Sequence, residues 1–206
     1  MKNIITIQHT QSVQHINGMI GSWTDWELTD LGKEHAENIG RKLSAELILG
    51  GQAYKIYSSD LIRAKQTVEP LARYMGIEVE YCEKLREINF GEAVGKSKQW
   101  AQENRLTINS IDEPEFHGAE TWRELWNRVE SVYRDVVADE AENIILISHG
   151  GTLAVWHQGL FGFDFRNRKI GPAGGVSFFK ITESGKRIIQ RLNDSSYIER
   201  KNTWEI

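Results

Sequence analysis

The chain has 206 residues, of which 40% are hydrophobic and 26% charged, with a formal net charge of -4 and a pI of about 5.9. This length and composition predict one soluble globular domain covering residues 1–206. The acidic balance argues against nucleic-acid or anionic-membrane partners but leaves room for a local basic pocket that binds an anion. Cys82 is the only cysteine, so an intrachain disulfide is excluded and a reducing compartment is expected.

No segment has the pattern of a signal peptide or a membrane span. The N-terminus lacks a cationic segment followed by a long apolar run, and no run approaches the ~18 apolar residues of a spanning helix. These features predict a cytoplasmic protein. The sequence leaves the oligomeric state open.

The first predicted elements are a buried strand and an amphipathic helix separated by a long loop. The apolar run at residues 4–7 breaks abruptly into Gln8-His9-Thr10, which predicts a strand that delivers His9 to a sheet edge. Residues 10–28 are polar and aromatic and suit an ordered loop. A helix should then begin after Thr29 as N-cap and stop at Gly50-Gly51. Its predicted apolar positions are Leu31, Ala36, Ile39, Leu43 and Leu47.

A second strand and helix should follow at residues 55–75. Residues 55–58 read as a short strand, and Ser59 is the expected cap of a helix that runs to about Met75. Arg63 lies one turn into this helix, and helical side chains tilt toward the N-terminus. Arg63 should therefore lean back toward the strand ends, where His9 is expected. A third strand is predicted at residues 77–81.

The remainder of the chain predicts an insertion and then a return to the sheet. Residues 83–118 are irregular and are interpreted as a small lid insertion. Thr121-x-x-Glu124 is a capping box, and its helix should present an apolar face. That face comprises Trp122, Trp126, Val129, Tyr133 and Val136.

The last predicted elements close the sheet. A strand at residues 143–148 runs into His149-Gly150-Gly151 and a helix from about 152 to 160, and a strand pair is expected at 176–181 and 188–192. The basic cluster at residues 166–169 is interpreted as a surface turn, with contact to a polyanionic substrate as the alternative. The alternation of strands and helices predicts an α/β fold, a three-layer sandwich with a mostly parallel sheet between helices.

Two predicted strands each end on a histidine that is followed by small residues. His9 and His149 should therefore converge at one sheet edge, where glycine allows a ligand to approach the main chain closely. Two capped strand ends with no chemistry remain the alternative from the residues alone. Arg63 adds a cation to the same place, which favours an anion site.

At this point the chain resembles the histidine phosphatase superfamily, in the branch related to phosphoglycerate mutases. The resemblance covers nearly the whole chain and rests on several motifs in the order of the family. The motifs are Gln8-His9-Thr10-Gln11-Ser12, Gly21-Ser22-Trp23-Thr24-Asp25, Leu28-Thr29-x-x-Gly32, Ser58-Ser59-Asp60-Leu61-x-Arg63-Ala64-x-x-Thr67, Leu85-Arg86-Glu87 with Gly91, and Ser148-His149-Gly150-Gly151.

The resemblance implies a role for each catalytic candidate. His9 would be the nucleophile that takes up the phosphoryl group, with its other ring nitrogen held by an acceptor such as a backbone carbonyl. Arg63 and His149 would neutralise the phosphoryl oxygens. Glu87 would donate a proton to the leaving oxygen, which requires a raised pKa in an aromatic-lined pocket.

The first motif departs from the family, and these departures define the predicted substrate-binding residues. Gln8 replaces the first arginine, Thr10 replaces a glycine, and His15 stands at the asparagine position; Gly150 follows the second histidine. An amide gives N–H donors but no charge, which costs about 1–2 kcal/mol of anion binding and slows turnover about 5- to 30-fold.

The predicted function is hydrolysis of a small phosphorylated metabolite without metal or other cofactor. A mutase and a low-activity phosphoryl-ligand binder or regulator remain alternatives within the resemblance. A nucleotide phosphate loop at Gly91-x-x-x-Gly95-Lys96-Ser97 is one residue short of the required spacing and lacks a preceding strand. Histidine metal ligation at His9 and His15 lacks a carboxylate at suitable spacing.

Overall fold

The computed structural model describes residues 1–161 and 171–199, and the basic cluster at 166–169 lies outside them. The strands are β1 (Lys2–Gln8), β2 (Lys55–Ser58), β3 (Val79–Tyr81), β4 (Asn143–Ser148), β5 (Val176–Ile181) and β6 (Arg187–Asp194). The helices are α1 (Asp30–Leu49), α2 (Ile62–Met75), α3 (Lys98–Asn104), α4 (Trp122–Ala138) and α5 (Gly150–Phe161).

These strands form a six-stranded sheet in the order β3-β2-β4-β1-β5-β6. The four strands β3, β2, β4 and β1 are parallel, whereas β5 is antiparallel to both β1 and β6. The register pairs Gln8 with Ser148, so His9 and His149 follow equivalent positions on adjacent parallel strands. The predicted α/β fold with a mostly parallel sheet is confirmed.

Each face of the sheet is covered by a helix pair. Ile4, Ile144 and Leu146 face α4 and α5, where they form a core with Leu125, Val129, Val155 and Trp156. Successive strand side chains point to opposite faces. The neighbouring strand positions therefore build a second core against α1 and α2, which contains Ile5, Ile7, Ile145, Ile147, Leu43 and Val68. Helices on both faces make the three layers that the sequence predicted.

The helix ends confirm two predicted caps and correct a third. The Thr29 hydroxyl accepts from the Gly32 N–H, and Thr121 and Glu124 form the capping box of α4. The prediction that Ser59 caps α2 is wrong, because α2 begins at Ile62 and its N-cap is Leu61. Ser59 is held by a different partner, as described below.

One predicted core position is wrong. Leu31 lies on the solvent side of α1 and is 46% exposed, whereas Ala36, Ile39, Leu43 and Leu47 are buried. Leu31 falls in the first turn of α1, and a single apolar side chain on a protein surface is ordinary. The apolar stripe of the helix begins one turn later than the sequence suggested.

The 83–118 insertion packs against the loop that follows β1. Met19 forms an antiparallel bridge with Ser97, and the Ile20 N–H donates to the Lys96 carbonyl at 2.8 Å. Ala93, Ala101 and Phe116 form a small core inside the insertion. The Ser97 hydroxyl caps α3, and residues 86–90 form no strand, so the Gly91–Ser97 segment lacks the strand that a nucleotide phosphate loop requires.

No helix in the described part of the chain combines the length and the apolar character needed to cross a membrane.

Candidate active site

Three imidazoles meet at the carboxyl edge of the parallel strands. The ring centroids of His9 and His149 are 5.0 Å apart, and that of His15 lies 5.5 Å from His9. His9 and His149 are 2% and 0% exposed, whereas His15 lies in the turn after β1 and is exposed. The predicted convergence of His9 and His149 is therefore present in the folded chain, with His15 at its margin.

The tautomer of His9 is set by its neighbour in the chain. The His9 Nδ1–H donates to the backbone carbonyl of Thr10 at 2.8 Å, as the requirement for an acceptor predicted. The proton of the neutral ring is therefore on Nδ1, and Nε2 carries the lone pair. A nucleophilic nitrogen thus faces the interior of the site.

Arg63 is the cation of this site, and its guanidinium is fully buried. Its Nε donates to His9 Nε2 at 3.2 Å, while NH1 and NH2 donate to the carbonyls of Thr24 (2.8 Å) and Ser22 (2.7 Å). Among the described residues it forms no ion pair within 4 Å. Burial lowers the pKa of Arg63 to about 10, so it stays charged at neutral pH. The charges of Glu87 and Asp25 act on Arg63 from a distance, but a buried cation without a direct carboxylate partner still favours an anionic ligand.

His149 is held by a side chain that the sequence analysis assigned elsewhere. Its Nε2 lies 2.8 Å from the Ser59 Oγ, and Ser59 also accepts from the Leu61 N–H at 3.3 Å. The His149 Nδ1 atom is buried and has no hydrogen-bond partner among the described residues. One imidazole nitrogen is thus anchored to the protein and the other is left for a ligand.

His15 is oriented by the backbone. Its Nδ1 accepts from the Ser12 N–H at 2.9 Å, so the neutral ring carries its proton on Nε2. The predicted substrate-binding role would use this Nε2–H as a donor. The electrostatic influence of Lys98 reaches this ring, which connects it to α3 of the insertion.

The protonation of the imidazoles follows from burial and from Arg63. Desolvation, followed by the positive charge of Arg63, holds the pKa of His9 and of His149 well below the usual range. The pKa of His15 is lowered for the same two reasons. Because a lowered histidine pKa keeps the ring neutral, His9 retains its nucleophilic lone pair through neutral pH and into the acidic range.

The side chain of Glu87, from the 83–118 insertion, contacts the first turn of α5. Its carboxylate accepts from the backbone N–H groups of Gly151 and Thr152, each at 3.1 Å. A Cβ atom at position 151 would lie 2.6 Å from the Glu87 Oε1, so this approach of the carboxylate to the backbone requires glycine. The Glu87 carboxylate therefore lies against the polar N-terminus of a helix.

The backbone that carries Glu87 is fixed by neighbouring side chains. Arg128 donates to the carbonyls of Lys84, Arg86 and Glu87 while it pairs with Glu120 at 2.8 Å. The Trp23 indole N–H donates to the Glu87 carbonyl at 2.6 Å. These contacts come from α4 and from the loop after β1, so two distant segments position the carboxylate.

The other predicted substrate-binding residues occupy different kinds of position. Gln8 is 8% exposed at the end of β1, next to His9, and Gly150 is buried at the start of α5. The Thr10 hydroxyl donates to the Gly32 carbonyl at 2.8 Å and lies 3.5 Å from the Thr67 hydroxyl. The contribution of Thr10 to the site is thus its carbonyl, which holds His9.

Ser22, Thr24 and Ser59 support the site and were missed as functional residues in the sequence. Ser22 and Thr24 act through backbone carbonyls, which no side-chain pattern reveals. The Ser22 hydroxyl also donates to the Ile88 carbonyl at 2.5 Å and accepts from the Phe90 N–H, which joins this loop to the insertion. All three residues lie inside motifs that the chain shares with the family, around Gly21 and Ser58, and this position in the sequence was the one sign that they could be functional.

A cavity of about 500 Å³ opens between the loop after β1 and the insertion. Its lining is mainly apolar, from Ile20, Phe90, Ala101 and Phe116, with the cations Lys98 and Arg105 and the amide of Gln102. Arg105 is paired with Glu115 at 2.6 Å. Within residues 1–161 and 171–199, no cluster of three histidine, cysteine or acidic side chains is arranged to hold a metal ion.

Comparisons with known proteins agree with this geometry. Residues 4–195 match the family model of the histidine phosphatase superfamily (branch 1). The "Putative phosphoserine phosphatase 2" of Hydrogenobacter thermophilus is 30% identical over 159 residues, which are 74% of this chain and 75% of that protein. A 2,3-bisphosphoglycerate-dependent phosphoglycerate mutase of Methylocella silvestris is 26% identical over 215 residues, covering 98% of each chain.

A solved structure gives the same fold. Bacillus stearothermophilus YhfR superposes with a TM-score of 0.81 at 21% identity, covering 97% of this chain and all of that one. The family match spans nearly the whole chain. The protein therefore belongs to the histidine phosphatase superfamily, branch 1.

Proposed function

We propose that this protein is a phosphatase that hydrolyses a small phosphomonoester through a phosphohistidine on His9. The observation that carries the proposal is the state of the His9 ring. Its Nδ1–H is bound to the Thr10 carbonyl, and its Nε2 lone pair lies 3.2 Å from the Arg63 Nε. A neutral nucleophile beside a buried cation that has no direct carboxylate partner suits attack on a dianionic phosphoryl group.

In the first step, the His9 Nε2 attacks phosphorus, an N–P bond forms and the bond to the leaving oxygen breaks. Arg63 donates to the phosphoryl oxygens. Its Nε–H, which donates to the His9 lone pair in the free protein, then donates to a phosphoryl oxygen instead. This exchange frees the nucleophile only when an anion is present. Glu87 transfers a proton to the leaving oxygen, which departs as an alcohol.

In the second step, water hydrolyses the phosphohistidine. The Glu87 carboxylate takes a proton from the attacking water, an O–P bond forms, and the N–P bond breaks to regenerate neutral His9 and release inorganic phosphate. The split of one displacement into two uses the same carboxyl group first as acid and then as base. This sequence needs no metal ion or other cofactor.

The leaving group is assigned to the cavity between the loop after β1 and the insertion. Its apolar floor of Ile20, Phe90 and Phe116 and the Lys98 cation suit a small organic group with an acidic substituent. The ring of His15 lies 5.5 Å from that of His9, and the charge of Lys98, which lines this cavity, acts on it. The proposed substrate is accordingly a phosphorylated small metabolite rather than a nucleic acid or a membrane lipid.

The test is an assay of phosphate release from p-nitrophenyl phosphate, phosphoserine, 3-phosphoglycerate and a panel of phosphosugars, with and without a chelator. Phosphate release that survives chelation and is lost in His9→Gln supports the proposal. Rapid quench of a 32P-labelled substrate under alkaline conditions should trap the label on His9. Hydrolysis at full rate in His9→Gln would overturn it.

A mutase is the second candidate, and it is favoured by the end-to-end similarity to a phosphoglycerate mutase. A mutase must keep water from the phosphohistidine while the intermediate turns round. Isomerisation of 3-phosphoglycerate in the presence of its bisphosphate, without phosphate release, would establish it. Binding of inorganic phosphate with no turnover of any substrate would instead support a regulator, for which the uncharged Gln8 is the motivation.

A further inference from the structure

Besides the two histidines and Arg63, a buried hydroxyl is placed to control the chemistry of the second imidazole. Ser59 is fully buried between β2 and α2, and its Oγ lies 2.8 Å from the His149 Nε2. The two residues are 90 positions apart in the chain. This contact is therefore made by the fold and not by local sequence.

The hydrogen-bond inventory of Ser59 fixes the direction of this contact. A serine hydroxyl has one proton to donate and two lone pairs. The Leu61 N–H already donates to Oγ at 3.3 Å, and the lone pair of a neutral imidazole at Nε2 is the acceptor within reach of the hydroxyl proton. In the opposite arrangement, Oγ would receive two donors and its own proton would have no acceptor, which is costly in a buried site.

We infer that Ser59 is a positioning residue that holds His149 as the Nδ1–H tautomer, so that an N–H donor rather than a lone pair meets the phosphoryl group. The inference rests on the proposed function, because it assigns the ligand of the free nitrogen to that reaction. It accounts for the buried Nδ1 atom, which has no hydrogen-bond partner in the described part of the chain. A phosphoryl oxygen is an acceptor and would be repelled by a lone pair at this position.

Because the His149 ring is neutral, its tautomer decides which of its two nitrogens can donate a hydrogen bond. Burial and the nearby Arg63 charge keep the pKa of His149 well below the usual range, so only one nitrogen carries a proton at neutral pH before substrate binds. The proton must then be on the nitrogen that faces the ligand. His9 also carries its proton on Nδ1, but that nitrogen is turned to the Thr10 carbonyl and its lone pair faces the site. The same tautomer thus serves opposite purposes in the two rings.

The direct test is a two-bond 1H–15N correlation spectrum of the full protein labelled at histidine nitrogen, at pH 7.5. Comparison with His149→Gln assigns the His149 signals. We expect wild type to contain the Nδ1–H form of His149 and Ser59→Ala to gain the Nε2–H form. A wild-type His149 in the Nε2–H form, or a tautomer unchanged in Ser59→Ala, would overturn the inference whether or not the protein turns over any substrate.

Two matched variants separate this role from general packing. Ser58 is the adjacent, fully buried serine, and its hydroxyl donates to the Ser59 carbonyl at 3.0 Å rather than to an imidazole. Ser58→Ala should therefore keep the wild-type tautomer. Ser59→Thr retains the hydroxyl and should restore the Nδ1–H form that Ser59→Ala loses. Equal loss of the tautomer in Ser58→Ala would attribute the effect to packing and contradict the inference.

The functional consequence is measured with small probes. In Ser59→Ala we expect the Kd of inorganic phosphate, measured by calorimetry, to rise about tenfold, and kcat/KM for p-nitrophenyl phosphate to fall about 10- to 100-fold, by analogy with the loss of a partner that orients a metal-binding histidine. A changed tautomer with unchanged phosphate affinity would place Nδ1 outside the anion site and overturn the assigned role. If Ser59→Ala changes both the tautomer and the phosphate affinity but the wild-type protein hydrolyses no substrate, the role of Ser59 is supported and the phosphatase function is rejected.

Discussion

The two edges of the parallel sheet differ in whether their charged side chains are directly paired with an opposite charge. At the amino edge, Asp139 accepts from Lys55 Nζ at 3.0 Å and from the Tyr57 hydroxyl at 2.5 Å, so each charge meets a partner. At the carboxyl edge, Arg63 is fully buried and donates to carbonyls and to His9 instead of to a carboxylate. Directly paired charges help to hold the strands together, whereas a buried cation without a direct carboxylate partner favours the binding of an anion.

The largest expected effect comes from removing the proposed nucleophile at the carboxyl edge. His9→Gln should lower kcat for p-nitrophenyl phosphate by at least about 10⁴-fold, because no other group on the site carries the lone pair that attacks. The matched control is His157→Gln on α5, where the Nε2 lies 3.1 Å from the Thr6 hydroxyl and away from the carboxyl edge. Loss of activity in the control alone would put the reaction elsewhere.

The second effect contrasts the two edges directly. Arg63→Lys should lower kcat/KM by about 10²- to 10³-fold, because one ammonium cannot reproduce the fork that reaches Ser22, Thr24 and His9 at once. Asp139→Asn should leave kcat/KM near that of wild type and lower the free energy of unfolding by about 1.5–3 kcal/mol, as measured by urea titration. Near wild-type activity in Arg63→Lys would remove the guanidinium from the anion site.

The two edges should also respond to pH in different windows. His9 and His149 have lowered pKa values in the folded chain. Below about pH 6.5 the unfolded chain therefore binds more protons at these two residues than the native chain does. Each should reduce the free energy of unfolding by about 1.4 kcal/mol per pH unit until its folded pKa is reached. The Asp139 carboxyl has its pKa lowered to about 2, mainly by the Tyr57 hydroxyl, so its stabilisation is lost only as pH falls from about 3.8 to about 2.

Urea titrations at half-unit pH intervals measure these two windows. His149→Gln should flatten the slope between pH 6.5 and 5 by one proton and leave the lower window unchanged. Asp139→Asn should flatten the slope in the window below about pH 3.8 and leave the slope between pH 6.5 and 5 unchanged. An identical slope above pH 5 in wild type and His149→Gln would mean that His149 titrates alike in the folded and unfolded chain.

The smallest effect is expected at Gln8, where the resemblance to the family is weakest. Gln8→Arg should raise kcat/KM on small phosphate esters by about 5- to 30-fold, since a charged donor replaces a neutral one beside His9. The added cation should lower the pKa of His9 further and move the acid limb of the pH–rate profile to lower pH. An unchanged or lower rate with an unmoved acid limb would place Gln8 outside the phosphate shell.

Local sequence predicted most of the elements and the principal site residues because their signals are short-range. The apolar runs before His9 and His149 are complete within each strand, and the caps at Thr29 and Thr121 involve residues three positions apart. Helix geometry predicted that Arg63 leans toward the strand ends, although α2 begins at Ile62 and Arg63 is its second residue rather than one turn into it. The failures at Leu31 and Ser59 arose where the local pattern fitted two environments and tertiary packing selected the other.

The sequence by itself determined that two strand ends carry histidines, that an arginine lies near the start of the helix after β2, and that the chain resembles the histidine phosphatases. Only the tertiary structure decided the tautomer of His149 and the contacts of Arg63. The proton of His9 is fixed by a neighbour, but the Ser59 contact to His149 and the Ser22 and Thr24 carbonyls on Arg63 join residues 39–90 positions apart. Such contacts depend on how the layers pack, which no local periodicity records.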